Sequence, residues 1–219
     1  MMKKTILRWS IYLLGMLSLA FGIVLSMKTG LGNAPISSVA ISISEIWAMN
    51  LGVVNFVVYA IFIAAQFILR GKNSKVFDLL QLLVSVIFSW ALNLFKAWIP
   101  YTVAEGGKYS LLNLALLLVS IVFIGIGVSA SVNMRLIPNP GDGIVFALTE
   151  KIGWEHGTTK NVFDISCVCL TTIISLVFAG KLVGVGVGTV VAMLGVGRVV
   201  ALVNRLLKQK VYIPLTTKE

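Results

Sequence analysis

Six stretches of this chain are apolar for long enough to cross a bilayer: roughly 9–27, 51–70, 77–97, 110–132, 161–180 and 183–204. A helix needs about 20 such residues to traverse a hydrocarbon core of about 30 Å. Inside that core every backbone N–H and C=O must be paired within the protein, which dictates helices or a closed barrel. Runs of this length, without strict alternation, dictate helices. Only 12% of the 219 residues are charged and 58% are hydrophobic, with a mean hydropathy of +0.98. A soluble domain carries about 25% charge. The sequence therefore predicts an all-α membrane protein with six transmembrane helices, one membrane domain over 1–219, in contact with the lipid bilayer. The start, "MMKKTILRW", is basic and leads into an apolar run with no small-residue cleavage site, so it reads as the first span rather than a signal peptide.

Net charge is +10. In a membrane chain this sets orientation rather than marking a nucleic-acid partner, and no nucleic acid is expected. With a cytoplasmic N-terminus, 14 basic residues fall inside: Lys3, Lys4, Arg8, Arg70, Lys72, Lys75, Arg135, Lys151, Lys160, Arg198, Arg205, Lys208, Lys210 and Lys218. Lys28, Lys96, Lys108 and Lys181 fall outside. That distribution predicts a bacterial plasma (inner) membrane protein with both termini in the cytoplasm.

Two shorter stretches break the pattern. "TGLGNAPISSVAISISE" (29–45) follows the first span, and "LIPNPGDGIVFALTE" (136–150) follows the fourth. Each is too polar for a lipid-facing helix and too short to span. If the short stretches fully crossed, Arg70, Lys72 and Lys75 would also move outside, against the charge rule. Both are expected to be re-entrant or interfacial helices led by Pro35 and Pro140, since proline suits a first helical turn.

A displacement of 105 residues aligns the two halves. Gly22 meets Gly127, Ser26 meets Ser131, Pro35 meets Pro140, Glu45 meets Glu150, Gly52 meets Gly157 and Val57 meets Val162. The expected architecture is two three-helix repeats, about 8–97 and 110–205, each with one short helix. Three spans is an odd number, so the second repeat is inverted relative to the first. Inverted repeats with interrupted segments in matching places are a mark of secondary transporters.

"GLGNAP" (30–35), "NPGDG" (139–143) and "GVGVGTVVAMLGVGR" (184–198) resemble motifs of the YczE/YitT-like group of bacterial integral membrane proteins. The resemblance runs over nearly the whole chain and implies a multi-spanning protein of a largely uncharacterised group. The group's first motif often reads Gly-Leu-Gly-Pro-Trp-Asp. Here Gly30, Leu31 and Gly32 match, but Asn33, Ala34 and Pro35 follow, whereas the second motif keeps an acid in Asp142.

Candidate solute-binding residues are those placed to line a cavity at the two short helices: Asn33, Ser37 and Ser38 on one, Asn139 and Asp142 on the other. Asn55, Tyr59 and Gln66 form a polar stripe on the second span, with helix–helix hydrogen bonding as the competing reading. Asp164 and Arg198 are expected to form a structural ion pair or a coupled gate. Glu45 and Glu150 read as solvated carboxylates at matching helix ends, and the single His156 as a solvated loop side chain. Cys167 and Cys169, two apart in an apolar run, read as unpaired. No cofactor and no metal site are expected, because His156 stands alone. The five tryptophans read as interface anchors.

These residues point to a small-molecule secondary transporter or permease with a central polar cavity and a small polar or charged solute. A substrate-binding or partner subunit of a larger membrane complex remains an alternative. A membrane-embedded enzyme is the weaker one, since no nucleophile, base or metal set converges in the sequence. Homo-oligomerisation is left open.

Overall fold

The computed structural model describes residues 2–74, 76–101, 107 and 109–216. Its elements are α1 (Met2–Thr29), α2 (Pro35–Ile46), α3 (Leu51–Arg70), α4 (Leu80–Trp98), α5 (Leu111–Asn133), α6 (Pro140–Ile152), α7 (His156–Ala179) and α8 (Val187–Leu207), followed by a short π segment and a final turn. Six helices are long and apolar enough to cross a membrane, and no strand occurs among the described residues. The charge assignments of Lys75, Lys108 and Lys218 lie outside those residues.

Helix boundaries follow local chemistry. Pro35 and Pro140 both open their helices, where a missing N–H costs nothing. Asn50 and Ser110 cap α3 and α5 by accepting from Val53 N at 3.1 Å and Asn113 N at 3.2 Å. α6 and α7 end at Gly153 (φ 77°) and Gly180 (φ 63°), left-handed positions that glycine occupies without strain. α7 begins at His156, ahead of the apolar run expected from 161, so the "GWEHGTT" stretch is partly helix rather than loop.

The core is built on a tight crossing of α1 and α5. A Cβ on Gly15 would sit 2.7 Å from that of Ala130, one on Gly22 would sit 2.8 Å from the Ser120 carbonyl, and one on Gly127 would sit 2.6 Å from the Gly15 carbonyl. The glycines let the backbones meet, as small residues do in membrane interfaces. Numbers rise on α1 as they fall on α5, so the pair is antiparallel. α2 runs along α7, joined by Ser38–Thr171 and Ser42–Ser175 hydroxyl bonds, both 2.9 Å. α6 runs along α3, where Gly143 lets the amides of Gln66 and Gln81 approach. α3 also packs on α4, and α5 on α8. Large apolar side chains such as Leu83, Ile173 and Val190 face outward, as a lipid solvent permits.

One end of the bundle gathers the start of α1 and the ends of α3, α5 and α8. There the Arg8 guanidinium donates to the Met134 carbonyl at 2.8 Å, and Arg70 pairs with Asp78 at 3.2 Å and Glu150 at 2.9 Å. This is called the basic end below. The opposite end carries the end of α1 and the starts of α3 and α8, where Gly188 N donates to the Leu31 carbonyl at 2.8 Å and Asn33 N to the Gly184 carbonyl at 3.1 Å.

Candidate solute cavity

The first turns of α2 and α6 meet inside the bundle. A Cβ on Gly141 would lie 3.1 Å from Ile36 Cγ2, so the two helix tips abut. Beside them lies a cavity of about 460 Å³, in the range that holds a small molecule. Ala34, Pro35 and Ser37 reach it from α2, and Asn139, Gly141 and Asp142 from α6. Tyr59 enters from the middle of α3. Much of the remaining wall is apolar, from Ile23, Ile124, Val128, Met193 and Val196. At the basic end His156, Gly157 and Asn161 of α7 line its mouth and are exposed.

The two tips differ chemically. Asn139 caps α6: its Oδ1 accepts from Gly141 N at 3.0 Å, and its carbonyl accepts from Asp142 N at 2.9 Å and Gly143 N at 2.8 Å. α2 has Ala34 at its cap and no side-chain cap. The N–H groups of Ile36 and Ser37 have no partner among the described residues, and such groups at a helix start carry partial positive charge. The Asn139 amide adds to this. Asn139 is 4% exposed, and its Nδ2 has no acceptor although Tyr59 lies beside it. A buried amide without a partner costs about 1–3 kcal/mol. Asp142, partly buried, has no ion pair among the described residues.

Four of the eight candidate solute-binding residues therefore converge, Ser37, Tyr59, Asn139 and Asp142, and Asp164, expected in an ion pair, lines the same cavity. Four do not. Asn33 holds the loop before α2, its Nδ2 donating to the Gly184 carbonyl at 3.4 Å, and it lines a separate recess of about 400 Å³ at the opposite end with Glu45 and Lys181. Ser38 donates to the Pro35 carbonyl at 2.6 Å and meets Thr171. Asn55 donates to Ser89 at 3.2 Å. Gln66 and Gln81 exchange amide bonds at 3.2 and 3.0 Å. These are helix-to-helix bonds, the competing reading of the polar stripe. The ion pair also has a different partner from the one expected. Asp164 meets Lys160, one turn away on its own helix, at 3.3 Å, while Arg198 is exposed. The i,i+4 spacing brings Lys160 within reach without crossing to α8. Glu150 is paired with Arg70, and Glu45 is exposed.

His156, Lys160, Asn161, Asn133 and Asn204 belong to the cavity and were not singled out for it. His156 is not a loop side chain: it stacks on Phe146 with ring centroids 4.7 Å apart. The side-chain Oδ1 of Asn204 accepts from Ser129 Oγ at 2.7 Å and from Asn133 Nδ2 at 2.8 Å. Asparagines inside apolar runs were the signal that could have found that pair. Both cysteines are free, Cys167 buried and Cys169 exposed. No cluster of three or more metal-ligating side chains occurs among the described residues.

The comparisons fit this architecture without adding a substrate. The model of a family of unknown function, DUF6198, matches residues 6–205. The chain is 24% identical over 167 residues to the uncharacterised membrane protein YczE of Bacillus subtilis (strain 168), covering 76% of this chain and 74% of that one. No solved structure matches.

Proposed function

The chain belongs to the DUF6198 family of membrane proteins of unknown function, and from that premise we propose that it is a secondary transporter or permease of a bacterial plasma membrane. It moves a small polar or charged solute by alternating access about the cavity between two inverted repeats.

Several contacts support the repeat. Exchanging the halves by 105 residues turns Gly15–Gly127 into Ser120–Gly22, which also touch. Gly22–Ile124 becomes Gly127–Leu19, and Ser38–Thr171 becomes Gly143–Gln66, both likewise in contact. A contact set carried onto itself is what a two-fold axis produces. Because the counterparts α1 and α5 run antiparallel, that axis lies across the helices, in the membrane plane. α2 leaves the opposite end, brings Pro35 to the cavity and returns Glu45 to the recess that Met27 and Gly30 also line. α6 does the same from the basic end, with Asn139 in the cavity and Glu150 on Arg70. These are the paths of two re-entrant helices from opposite faces. The positive-inside rule makes the basic end cytoplasmic.

The observation that carries the transport reading is where this symmetry fails. Gly52, at the start of α3, is pressed against the Ser89 carbonyl and the Asn93 side chain of α4, and its N–H donates to Asn93 Oδ1 at 2.9 Å. Asn93 in turn donates to Asn50 at 2.7 Å. The counterpart of Gly52 is Gly157, at the start of α7. Nothing lies within 4 Å of a Cβ there or at Gly197 of α8. One seam is shut and its counterpart is the mouth of the cavity. A fold made of two equivalent halves in unequal states implies a second state with the inequality exchanged.

The test uses a chain with Cys167 and Cys169 replaced, in sealed vesicles. A disulfide between Asn50→Cys and Asn93→Cys holds the α3–α4 seam shut. It is expected to raise labelling of Asn161→Cys from the cytoplasmic side, and reduction to lower it again. A fixed pocket, as in a binding subunit or an enzyme, would give labelling that does not depend on the bridge.

A further inference from the structure

The cavity's charge pattern narrows the solute class, given the transport reading. The unpaired groups are of two kinds. The donors are the Ile36 and Ser37 N–H groups at the start of α2 and, at the cap of α6, the orphaned Nδ2 of Asn139, a residue 4% exposed that stands beside Tyr59. On the α6 side, two residues past Asn139, is the Asp142 carboxylate, which has no ion pair among the described residues. The abutting tips, with Gly141 against Ile36, hold these two kinds of group side by side.

The sum of charges decides among ligand classes. Each helix start is equivalent to roughly +0.5 of a charge, so the two tips and one carboxylate come to about zero. Lys160 and Asp164, paired at 3.3 Å, add no net charge, and Lys160 and His156 also face Asp142 from beyond ion-pair distance. A lone anion meets Asp142, and a lone cation meets two helix starts. A molecule with both charges, held close together, satisfies the orphaned donors and the acid at once. Neither an arginine nor an unpaired lysine lines the wall, which disfavours a phosphate. The apolar side formed by Ile23, Ile124, Val128, Met193 and Val196 wants a hydrocarbon body.

We propose that the cavity binds a small amphipathic zwitterion of the α-amino-acid type. Its carboxylate sits on the α2 tip and Asn139 Nδ2, its ammonium on Asp142, and its apolar side chain against the α5 and α8 wall. The acid that a plain dipole account would assign to stabilising α6 is then the amine's counter-ion.

The test is equilibrium binding to the purified full chain in nanodiscs with three probes sharing one hydrocarbon body. L-Leucine has both charges, 4-methylpentanoate lacks the amine, and isopentylamine lacks the carboxylate. Saturable leucine binding is expected, with each analogue on the order of ten- to a hundred-fold weaker, as loss of a charged hydrogen bond gives. Asp142→Asn is expected to bring leucine and 4-methylpentanoate together in affinity. Asn139→Asp keeps the cap oxygen for Gly141 but removes the donor, and is expected to weaken leucine while strengthening isopentylamine. Thermal unfolding of each variant checks that it is folded. Equal binding of the three probes, binding of none, or an undiminished leucine preference in Asp142→Asn overturns the proposal. Leucine selectivity without the bridge-dependent labelling above would leave this site standing and remove transport; the reverse would keep transport and remove the zwitterion.

Discussion

Alanine at Gly52 and at Gly157 is chemically the same change at positions 105 residues apart, counterparts in the proposed repeat, yet the two should behave differently. At Gly52 the new methyl meets the Ser89 carbonyl, a backbone atom of α4 that moves only with its helix, and the Asn93 side chain. Overpacking of that kind costs about 1–3 kcal/mol. Separation of the seam also weakens the 2.9 Å bond from Gly52 N to Asn93, worth about 0.5–1.5 kcal/mol. Alanine returns about 0.5–1 kcal/mol of helix preference. The net loss is about 2 kcal/mol, or a fall of roughly 4–8 °C in Tm for a chain of this size. At Gly157 a Cβ meets nothing within 4 Å, so only the helix preference remains, and Tm should hold or rise by roughly 1–4 °C. The assay is thermal unfolding of both variants in one detergent, with bridge-free labelling of Asn161→Cys as a second readout. Gly52→Ala should also lower that labelling, because it opens the seam shut in this state. Equal falls in Tm, or a larger one for Gly157→Ala, would refute the asymmetry on which alternating access rests.

Gln66→Leu and Gln81→Leu should each cost about 1–3 kcal/mol by stranding a buried amide, while the double variant costs less than their sum; a double-mutant cycle of unfolding checks this. Arg70→Gln should cost about 1–3 kcal/mol, because Arg70 and its partner Asp78 are each only 15% exposed although Glu150 is 60% exposed, and the gap from wild type should narrow only in part in 1 M salt, read by Tm. Asn139→Ala should lower stability by about 1 kcal/mol through loss of the α6 cap, whereas Asn139→Asp, which keeps the acceptor, should stay near wild type in the same assay.

The spans and short helices were legible because their signals are local: apolar length, proline at a first turn, glycine at an end. The tips were legible for the same reason, since Pro35 and Pro140 announce where Ser37 and Asp142 must sit. Side-chain partnership was not. Asn55, Gln66 and Ser38 look alike in sequence whether they face a cavity or another helix, and here Ser89, Gln81 and Thr171, far along the chain, satisfy them. Depth alone pairs Asp164 with Arg198, but Lys160, one turn back on the same helix, is its partner at 3.3 Å. Low hydropathy around His156 suggests a loop, yet α7 begins at His156 itself, where the ring stacks on Phe146.

The central claim is that α2 and α6 enter and return from opposite faces. The direct measurement is labelling of Glu45→Cys and Glu150→Cys, each in a background lacking Cys167 and Cys169, with an impermeant maleimide applied to intact cells and to inside-out vesicles. Glu45→Cys should react only in intact cells and Glu150→Cys only in inside-out vesicles. Reaction of both positions from the same side would mean that a short helix crosses the membrane, and the inverted repeat would fall with it.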